Sequence, residues 1–501
     1  MNQQITVTVN GKTSLTVAGI LLSEIIDGKK PCGGHGKCGK CKIIAKGMLS
    51  KLTEEEKRLL SKDELDHGFR LACLTYACGD CEITTISHKE KTQIVTDGKL
   101  PEFKIKPTFE KYGVVIDIGT TTLAARLYDT EGALLAQSSR LNPQQKWGAD
   151  VISRIEVALD GKSDELAKAI RQALDSIISE LASRVNLNTK DIDSIVVTGN
   201  TIMLSLLTGQ SVEPFSHAPF AAERLFGETL TASELKLSNL SQNTPIYLPP
   251  CISAFVGADT TCAILATQFF EDKTAMLADI GTNGEMALWH HGKLIVCSTA
   301  AGPAFEGVGI SMGMRGADGA IDKVSVEHEQ LEVHVIGDTE PIGICGSGLV
   351  DAVACMLDLK ILDESGYLDV DEFIIRYPVS LTPNDIRMLQ LAKSAICAGL
   401  MTLIENEQLT LSDVSTLYIA GGFGNYLNKE SAVKIGLIPQ ALSESVNVVG
   451  NAALSGAAML LLDGSTRDIA ISLAKKADTV ELSVNPIFTE KYMMAMFLEE
   501  I

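Results

Sequence analysis

Four cysteines near the start of the chain constrain its fold more than any other feature. Cys32, Cys38 and Cys41 stand in the segment CGGHGKCGKC with the spacing C-x5-C-x2-C, and Cys73 follows in RLACLTYACGDC. The first gap is one residue longer than in the plant-type [2Fe–2S] pattern C-x4-C-x2-C…C. Glycines fill the gaps and allow the tight curl that aims backbone N–H groups at cluster sulfurs. The pattern predicts a loop that binds an iron–sulfur cluster. Because such a cluster only carries one electron, we expect the rest of the chain to contain domains that use this electron.

The spacing alone leaves the fourth ligand open. Cys73, Cys78 and Cys81 themselves repeat a C-x4-C-x2-C spacing, so each is a candidate. The remaining cysteines stand singly in apolar surroundings, which predicts small buried side chains rather than ligands. These are Cys251, Cys262, Cys297, Cys345, Cys355 and Cys397.

The composition is that of a soluble globular protein with several domains. The chain has 501 residues, of which 46% are hydrophobic and 21% charged, and a formal net charge of −20. Such a charge argues against nucleic acid and anionic membrane surfaces, because positive patches recognise both. The chain has no apolar run near the roughly 20 residues that span a bilayer, and its first ten residues lack a signal-peptide core. We therefore expect a cytoplasmic protein that binds a protein partner or a small ligand.

Residues 1–90 predict a small β-rich module. The segment ITVTVNGKTSLTV alternates apolar and polar residues around Asn10-Gly11, which is a strong hairpin signal. Short helices are predicted for LLSEIIDG and for TEEEKRLLSKDELD, the second with Thr53 and Ser61 as caps. The segment DCEITTISH predicts a closing strand.

One pattern occurs twice after a polar linker at residues 91–112. GVVIDIGTTTLAARLYDTEGALLAQSS predicts a strand, a Gly/Thr turn and two further strands, and AMLADIGTNGEMALWHHGKLIVCST repeats that plan. Asp279 in the second copy corresponds to Asp117 in the first. A duplication of this length predicts two homologous α/β lobes, at residues 113–270 and 271–501.

In both repeats an Asp ends a buried strand and a Gly/Thr/Asn turn follows. Glycines let the backbone approach a phosphate, successive N–H groups form an anion nest, and Thr hydroxyls donate to phosphate oxygens. Asp117 and Asp279 can hold Mg²⁺ directly or through water. The residues expected to bind the phosphates are Gly119, Thr120, Thr121, Thr122, Gly281, Thr282 and Asn283.

A third glycine cluster, in LYIAGGFG, also follows a predicted strand. Its residues Gly421, Gly422 and Phe423 are expected to let a base or ribose lie against the backbone. The region has no GxxxxGK[ST] or GxGxxG motif. The combined elements resemble the acetate kinase/sugar kinase/Hsp70/actin superfamily, in which two ribonuclease-H-like lobes clamp ATP·Mg²⁺.

The whole chain resembles the ATP-dependent reductive activators of corrinoid proteins. The resemblance is carried by YGVVIDIGTTTLA, LNPQQKWGADVISRI, VTGNTIML, LPPCISAFVGADT, DIGTNGEM, STAAGPAFEG, GICGSGLVD, YIAGGFGNYL and VGNAALSGA. It implies an α/β multidomain protein: a small β-grasp, ferredoxin-like [2Fe–2S] domain followed by a duplicated ribonuclease-H-like ATPase of the actin/Hsp70 type. Larger members carry an additional domain between the cluster and the ATPase, where this chain has only its linker.

The resemblance also implies a reaction and its components. Such activators use ATP to drive the one-electron reduction of an inactive Co(II) corrinoid protein to Co(I), which reactivates a methyltransferase system. A [2Fe–2S] cluster, ATP and Mg²⁺ are the implied cofactors, and the resemblance places the fourth cluster ligand at Cys73. A corrinoid protein and an upstream low-potential electron donor are the expected partners, with a homodimer as a candidate assembly.

Several residues of the ATPase receive expected roles. Asp117 and Asp279 are expected to be the carboxylates linked to Mg²⁺. Asp259 and Glu306 are candidates for orienting the attacking water, although either residue type at such a position can equally cap a helix. Glu285, in TNGE, is placed to assist the Mg²⁺ shell.

Two alternative functions stay open at this point. The first alternative is an ATP-driven electron activator of another low-potential enzyme, such as a 2-hydroxyacyl-CoA dehydratase. GICGSG resembles the CAAGTG stretch of the activators of those dehydratases, where the Cys binds a [4Fe–4S] cluster between subunits. No second Cys stands in a matching context here, so Gly346 and Gly348 are expected to face the nucleotide and Cys345 to pack. The other alternative is a non-catalytic scaffold that senses redox state and ATP, which the intact acidic pair and both phosphate turns disfavour.

Overall fold

The structure, a computed structural model, describes residues 4–26, 36, 39, 41–85, 98, 100–422 and 427–501. Its contacts divide the chain into two compact units. The first comprises Met1–Lys89, Leu141–Ala173 and Leu206–Ala218, and the second comprises Glu90–Arg140, Leu174–Ser205 and Pro219–Ile501. Two internal segments thus belong to the first unit, and the domain boundaries expected from the sequence stay a prediction.

The N-terminal module is built on a six-stranded sheet of order β2-β1-β6-β4-β5, with β3 paired to β6. The expected hairpin is confirmed: Asn10 (φ 49°) and Gly11 (φ 81°) form the two-residue turn that joins antiparallel β1 and β2. The elements are β1 (Gln4–Val9), β2 (Lys12–Val17), β3 (Ile20–Leu21), α1 (Leu22–Ile25), β4 (Lys42–Leu49), α2 (Glu54–Leu59), α3 (Lys62–Asp66), β5 (Phe69–Leu71) and β6 (Tyr76–Thr85).

The first repeat forms a six-stranded sheet of order β11-β12-β10-β7-β8-β9. Strand β7 pairs antiparallel with β8 and parallel with β10. The elements are β7 (Tyr112–Ile118), β8 (Thr122–Asp129), β9 (Leu134–Leu141), α4 (Val151–Val157), α5 (Ser163–Arg184), β10 (Ile192–Gly199), α6 (Thr201–Thr208), β11 (Glu228–Thr231), β12 (Pro245–Leu248) and α7 (Ala258–Thr267).

The second repeat forms another six-stranded sheet, of order β22-β21-β13-β14-β15-β23. The elements are β13 (Thr274–Ile280), β14 (Gly284–His290), β15 (Lys293–Thr299), β16 (Ala320–Glu327), β17 (Gln330–Val335), β18 (Gly343–Ile344), α8 (Gly346–Asp358), β19 (Phe373–Arg376), β20 (Val379–Leu381), α9 (Pro383–Asn406), β21 (Thr416–Ala420), α10 (Lys429–Lys434), β22 (Val446–Gly450), α11 (Ala452–Leu462), α12 (Thr466–Lys476), β23 (Asp478–Thr479) and α13 (Pro486–Met494).

The two sheets confirm the duplication. Strands β7-β8-β9 and β13-β14-β15 are the two antiparallel meanders, and a parallel strand flanks the first strand of each, β10 beside β7 and β21 beside β13. Asp117 pairs with Thr198, and Asp279 pairs with Ala420. Carboxyl ends of adjacent parallel strands form the usual ligand-binding edge of an α/β sheet. Each Asp therefore lies at such an edge.

Helices α7 and α11 pack closely in the apolar core that draws on both repeats. A Cβ added at Gly456 in α11 would lie 1.9 Å from the carbonyl oxygen of Cys262 in α7. Only glycine permits this approach, since real Cβ atoms do not come so near a backbone oxygen. The small residues in VGNAALSGA thus serve helix packing.

The described part of the expected linker is attached to the ATPase. The N–H of Lys106 donates to the carbonyl of Leu462 (2.7 Å), and the N–H of Thr108 donates to that of Leu461 (3.0 Å). Phe109 is buried in the same core as α11. The rest of the expected linker, residues 91–97 and 99, lies outside the described residues.

Among the described helices, only α9 is long and apolar enough to cross a membrane. Its apolar window is 78% buried inside the protein, and its residues belong to the core of the second repeat. It is therefore a core helix.

Candidate functional site

The described part of the cysteine loop brings two of the expected ligands together. The sulfur atoms of Cys41 and Cys73 lie 3.1 Å apart, and both side chains are buried. This separation exceeds the roughly 2.05 Å of a disulfide bond. Gly36 and Gly39 have φ of 66° and 64°, the left-handed backbone that the glycine-rich loop predicted. Cys32 and Cys38 lie outside the described residues.

The two other candidates for the fourth ligand lie within strand β6. Cys78 is exposed and Cys81 is buried, because an odd separation along a strand places them on opposite faces. Cys81 lies opposite Val7 of β1 and Gly47 of β4, in the interior of the sheet. Burial, followed by the charge of Asp80, raises the pKa of the Cys81 thiol. Cys73 is thus the candidate with an observed sulfur contact to Cys41.

A buried carboxylate fixes the turn that carries Cys73. Glu56 accepts hydrogen bonds from the N–H of Leu71 (3.1 Å), from the hydroxyl of Thr75 (2.9 Å) and from Nε and Nη2 of Arg70 (2.9 and 3.0 Å). Burial tends to raise the pKa of Glu56, but the hydrogen bonds, that of Arg70 foremost, hold the pKa below its ordinary value. Since Leu71 and Thr75 flank Cys73, Glu56 positions this ligand candidate.

Replacing Glu56 with glutamine is expected to destabilise the N-terminal module by about 3–5 kcal/mol, because Arg70 is left buried without its counter-ion. Chemical denaturation followed by circular dichroism, together with iron and sulfide content, measures the effect. Glu55→Gln is the matched control, since Glu55 is exposed on the same helix. Equal stability of the two variants would contradict this role for Glu56.

The ends of the duplicated strands line a cleft of about 270 Å³. Nearly all the residues predicted to bind or process a nucleotide line this one cleft. They are Asp117, Gly119, Thr120, Thr121, Thr122, Asp259, Asp279, Gly281, Thr282, Asn283, Glu285, Glu306, Gly346, Gly421 and Gly422.

Two expectations about the GICGSG segment do not match the structure. Gly348 is not among the residues that line the cleft: a Cβ there would lie 2.2 Å from the carbonyl oxygen of Ile321, so this glycine serves the packing of α8 on β16. Cys345, expected only to pack, lines the cleft, with its sulfur 3.3 Å from the hydroxyl of Ser347. Burial raises the pKa of the Cys345 thiol. Phe423 lies outside the described residues.

The two Gly/Thr turns meet in the cleft. The hydroxyl oxygens of Thr121 and Thr282 are 3.3 Å apart, and the hydroxyl of Thr282 donates to Oε1 of Glu306 (2.9 Å). The second oxygen of Glu306, Oε2, is buried and has no hydrogen-bond partner in the described part of the chain. A buried carboxylate oxygen of this kind needs a donor, which a phosphate-bound water can supply.

Four carboxyl groups line the cleft and repel one another: Glu285 is buried, and Asp117, Asp259 and Asp279 are half-buried. Burial raises the pKa of Asp117 and of Asp279 to about 7 and that of Asp259 to about 6. The charge of Asp259 adds to the rise at Asp117 and Asp279. Burial and the charges of Asp259 and Asp279 also raise the pKa of Glu285. Such a group of acids favours a bound cation, which would return each carboxylate to its charged form.

The donor set fits Mg²⁺ held partly by its ligand's own oxygens. Among the described residues, no three His, Cys, Asp or Glu side chains lie close enough to hold a metal ion unaided. Mg²⁺ commonly takes one or two carboxylates plus phosphate oxygens and water. Asp117 and Asp279 at the ends of β7 and β13 match that arrangement.

Sequence reasoning missed several residues of the cleft, among them Asn200, Arg315 and Asn451. The amide of Asn451 donates to Oδ2 of Asp117 (3.0 Å), and its oxygen accepts from the N–H of Leu454 (2.7 Å), capping α11. Asn200 caps α6 in the same way and donates to the hydroxyl of Thr120 (3.2 Å). The available signal was the Gly-Asn pair after a strand in both VTGNTIML and VGNAALSGA, because Asn is a favoured N-cap.

Replacing Asn451 with serine is expected to keep the helix cap but lose the bond to Asp117, so the pKa of Asp117 rises further. A higher pKa shifts the pH midpoint for binding Mg²⁺·nucleotide upward. Affinity should therefore fall several-fold near pH 7 and recover near pH 8.5. Calorimetric titrations with Mg²⁺·nucleotide between about pH 7 and pH 8.5 test this shift of the midpoint. Asn451→Ala, which loses the helix cap as well as the bond to Asp117, serves for comparison. An unchanged pH profile in Asn451→Ser would contradict it.

Comparison with known proteins finds three protein families that match successive parts of the chain. A family described as the 2Fe-2S iron-sulfur cluster binding domain matches residues 1–78, the RACo middle region matches 112–272, and the C-terminal domain of RACo, the ASKHA domain, matches 273–501. The family's middle region thus corresponds to the first repeat of this chain.

Three relatives extend over most of the chain. The corrinoid activation enzyme RamQ of Eubacterium limosum is 36% identical over 82% of this chain and 75% of its own length. The [Co(II) methylated amine-specific corrinoid protein] reductase of Methanosarcina barkeri is 27% identical over 76% of each. A solved structure described as a reductive activator for corrinoid, iron-sulfur protein is 27% identical, with a TM-score of 0.73 and coverage of 99% of this chain and 98% of its own. The chain therefore belongs to the family of reductive activators of corrinoid proteins.

Proposed function

We propose that this protein uses ATP to drive one electron into a Co(II) corrinoid protein, returning its cobalt to the active Co(I) state. One observation carries the proposal: a single chain combines a cysteine motif of [2Fe–2S] type with a cleft in which two Thr turns and four acidic side chains converge. An electron carrier alone needs no nucleotide cleft, and a kinase needs no cluster. Relatives named for corrinoid activation match 82% and 76% of this chain, and its two ends match the 2Fe-2S iron-sulfur cluster binding domain and the ASKHA domain.

The N-terminal module would hold the cluster through Cys32, Cys38, Cys41 and Cys73. When bound, the cluster supplies one-electron transfer, and ATP·Mg²⁺ supplies the free energy. Glu56 keeps Cys73 in place by bonding to the residues on either side of it. The buried surroundings of Cys41 and Cys73 limit access of water to their sulfurs.

The cleft would bind ATP·Mg²⁺ between its two phosphate turns. Asp117 and Asp279 would hold the cation, and the hydroxyl of Thr121 would donate to a phosphate oxygen, while the hydroxyl of Thr282 donates to Glu306. Glu306 is a candidate for orienting the attacking water, because one oxygen accepts a hydrogen bond from Thr282 and the other is buried without a hydrogen-bond partner among the described residues. Asp259, at the first turn of α7, is the second candidate for this role.

In the proposed reaction, ATP supplies the free energy for an electron transfer from the cluster to Co(II) that is unfavourable by itself. For one electron, each 59 mV uphill corresponds to about 1.4 kcal/mol, so a gap of a few hundred millivolts costs several kcal/mol. A ligand that shifts a two-state equilibrium from 1:99 to 99:1 supplies about 5.5 kcal/mol. We infer that nucleotide binding changes the affinity for the corrinoid partner or the ligation of its cobalt, rather than the potential of the cluster.

The remaining components are part of the same proposal. The corrinoid partner belongs to a methyltransferase system, and a low-potential donor recharges the cluster. The protein acts in the cytoplasm, without nucleic acid or membrane, and a homodimer is its candidate assembly. The acidic net charge of −20 supports protein or small-ligand partners over polyanions.

An anaerobic spectral assay tests the proposed function. Reduced protein is mixed with a Co(II) corrinoid protein and ATP·Mg²⁺, and the absorbance band of Co(I) is followed. We expect the band to grow with ATP and not with ADP. Absence of the band with several corrinoid partners would contradict the proposal, and nucleotide-independent partner affinity and cobalt coordination would contradict the inferred coupling.

A further inference from the structure

The nucleotide cleft has a marked imbalance of charge. The carboxyl groups of Asp117, Asp259, Asp279, Glu285 and Glu306 all line it. A nucleoside triphosphate adds several more negative charges, and one Mg²⁺ cancels only two. Repulsion between like charges in a poorly solvated site is strong, so a cationic side chain at the phosphates is needed for tight binding.

Arg315 is the only Lys, Arg or His among the described residues that line the cleft. The side chain is half-buried, and its Nη1 atom is fully shielded from solvent. A guanidinium stays charged at all physiological pH values and offers a planar fork of N–H donors that matches phosphate oxygens. Its chemistry therefore suits the polyphosphate rather than an uncharged base or ribose.

The backbone places Arg315 beside the phosphate turns. Between Glu306 and Arg315 the chain forms a closed loop: a Cβ added at Gly307 would lie 2.4 Å from the carbonyl oxygen of Met314. The residues at the two ends of this loop, Glu306 and Arg315, are thus brought to the same edge of the cleft. Glu306 accepts a hydrogen bond from Thr282, so this edge is the one that carries the second phosphate turn.

A short backbone pairing supports the arginine. The N–H of Met314 donates to the carbonyl of Ile344, and the N–H of Ile344 donates to that of Met312, both at 2.9 Å. Strand β18, which contains Ile344, leads directly into the cleft-lining Cys345 and Gly346. Backbone hydrogen bonds therefore hold the segment that carries Arg315 to the same wall as α8.

We propose that Arg315 binds the phosphate chain of the nucleotide and makes the cleft selective for nucleoside polyphosphates over uncharged nucleosides. The inference rests on the proposed function, because it assigns a residue to the same nucleotide site. Its basis is the position of Arg315 beside Glu306 and Thr282 and its charge among five acids.

Equilibrium titrations of the full-length, cluster-loaded protein with ATP·Mg²⁺ and with adenosine test the proposal. Arg315→Gln is expected to weaken ATP binding by about 10- to 100-fold, the range for a lost charge-assisted contact, while adenosine affinity changes by less than about two-fold. The ATP affinity of Arg315→Lys should lie between those of the wild type and Arg315→Gln, because lysine keeps the positive charge but lacks the planar pair of N–H donors of the guanidinium. Arg376→Gln, at an exposed position on β19, is the matched control and should bind both ligands like the wild type.

The outcomes separate this proposal from the function it rests on. ATP binding that is unchanged in Arg315→Gln would overturn the role of Arg315 alone, as would an equal loss for ATP and adenosine. A wild-type protein that does not bind ATP would overturn both. The salt dependence adds a second readout: ATP affinity should fall less steeply with salt in Arg315→Gln than in the wild type.

Discussion

Replacement of Asp279 with asparagine is expected to abolish ATP-driven reduction and, at the same time, to stabilise the nucleotide-free protein. Asparagine has the same shape but cannot hold Mg²⁺ as a carboxylate does. The rate of ATP-dependent Co(I) formation should fall by about 100-fold or more, the usual effect of removing a preorganised charge from a reacting phosphate. Asp117→Asn is expected to behave in the same way at the equivalent strand end.

The gain in stability follows from the raised pKa values. In the folded protein the pKa of Asp279 is about 7, raised by burial and by the charges of Asp259 and Asp117, while in the unfolded chain it is near its ordinary value of 3.8. Between about pH 4 and pH 7 the folded state therefore binds more protons than the unfolded state. The free energy of unfolding then falls as pH rises through this window. Asp279→Asn removes the contribution of Asp279 to this decrease. We therefore expect the free energy of unfolding of the variant to be roughly 2–4 kcal/mol higher than that of the wild type near pH 7.

Thermal unfolding from pH 4 to pH 8, with and without Mg²⁺·ATP, measures both effects. The wild type should lose stability with rising pH when no nucleotide is present and regain it with Mg²⁺·ATP. Asp279→Asn should lose less stability with rising pH, because only Asp117, Asp259 and Glu285 still have raised pKa values, and should regain little with Mg²⁺·ATP. Asp371→Asn is the control, because Asp371 is exposed and far in sequence from the cleft motifs. An Asp279→Asn protein that still reduces Co(II) at the wild-type rate would exclude Asp279 from the site.

Replacement of Cys73 with serine is expected to remove most of the bound cluster, while Cys78→Ser and Cys81→Ser retain it. The sulfur of Cys73 lies 3.1 Å from that of Cys41, whereas Cys78 is exposed on β6 and Cys81 is buried in the sheet. The thiolate is the metal ligand, and a serine hydroxyl is a much poorer one for iron. Iron and sulfide per chain, with the visible absorption spectrum, measure cluster content.

The two remaining cysteines provide an internal control for this experiment. All three variants change one sulfur to oxygen within the same nine residues, so a general effect of the substitution would appear in each. A cluster retained in Cys73→Ser but lost in Cys81→Ser would move the fourth ligand to Cys81. That result would also require the centre of the sheet to rearrange, since Cys81 lies opposite Val7 and Gly47.

Local patterns in the sequence predicted the elements of the fold and the acidic centre of the site. Asn10-Gly11 specified a hairpin, and the two Asp-Gly-Thr turns specified where β7 and β13 end, because each depends on the conformational preference of a few adjacent residues. The duplication was visible in the sequence as two segments with the same pattern of predicted strands and turns. The meeting of Thr121 and Thr282 follows from that duplication once the lobes face each other.

Residues brought together by long-range packing were not predictable in this way. Asn451 reaches Asp117 across 334 positions of the chain, and its sequence context shows only a helix cap. Arg315 stands in a segment with no motif, and its place depends on pairing with Ile344. Gly348 was expected to face the nucleotide from the likeness of GICGSG to CAAGTG, but a glycine can also serve a close backbone contact, and the structure places Ile321 against it.

A single-turnover experiment tests the central claim most directly: that one chain couples its cleft to electron transfer from its own cluster. Protein reduced beforehand and freed of excess reductant is mixed with a Co(II) corrinoid protein, and Co(I) per chain is measured with and without ATP·Mg²⁺. We predict up to one Co(I) per loaded cluster for the wild type with ATP, and almost none without ATP, in Asp279→Asn or in Cys73→Ser. Equal Co(I) formation without ATP, or in Cys73→Ser, would contradict the account.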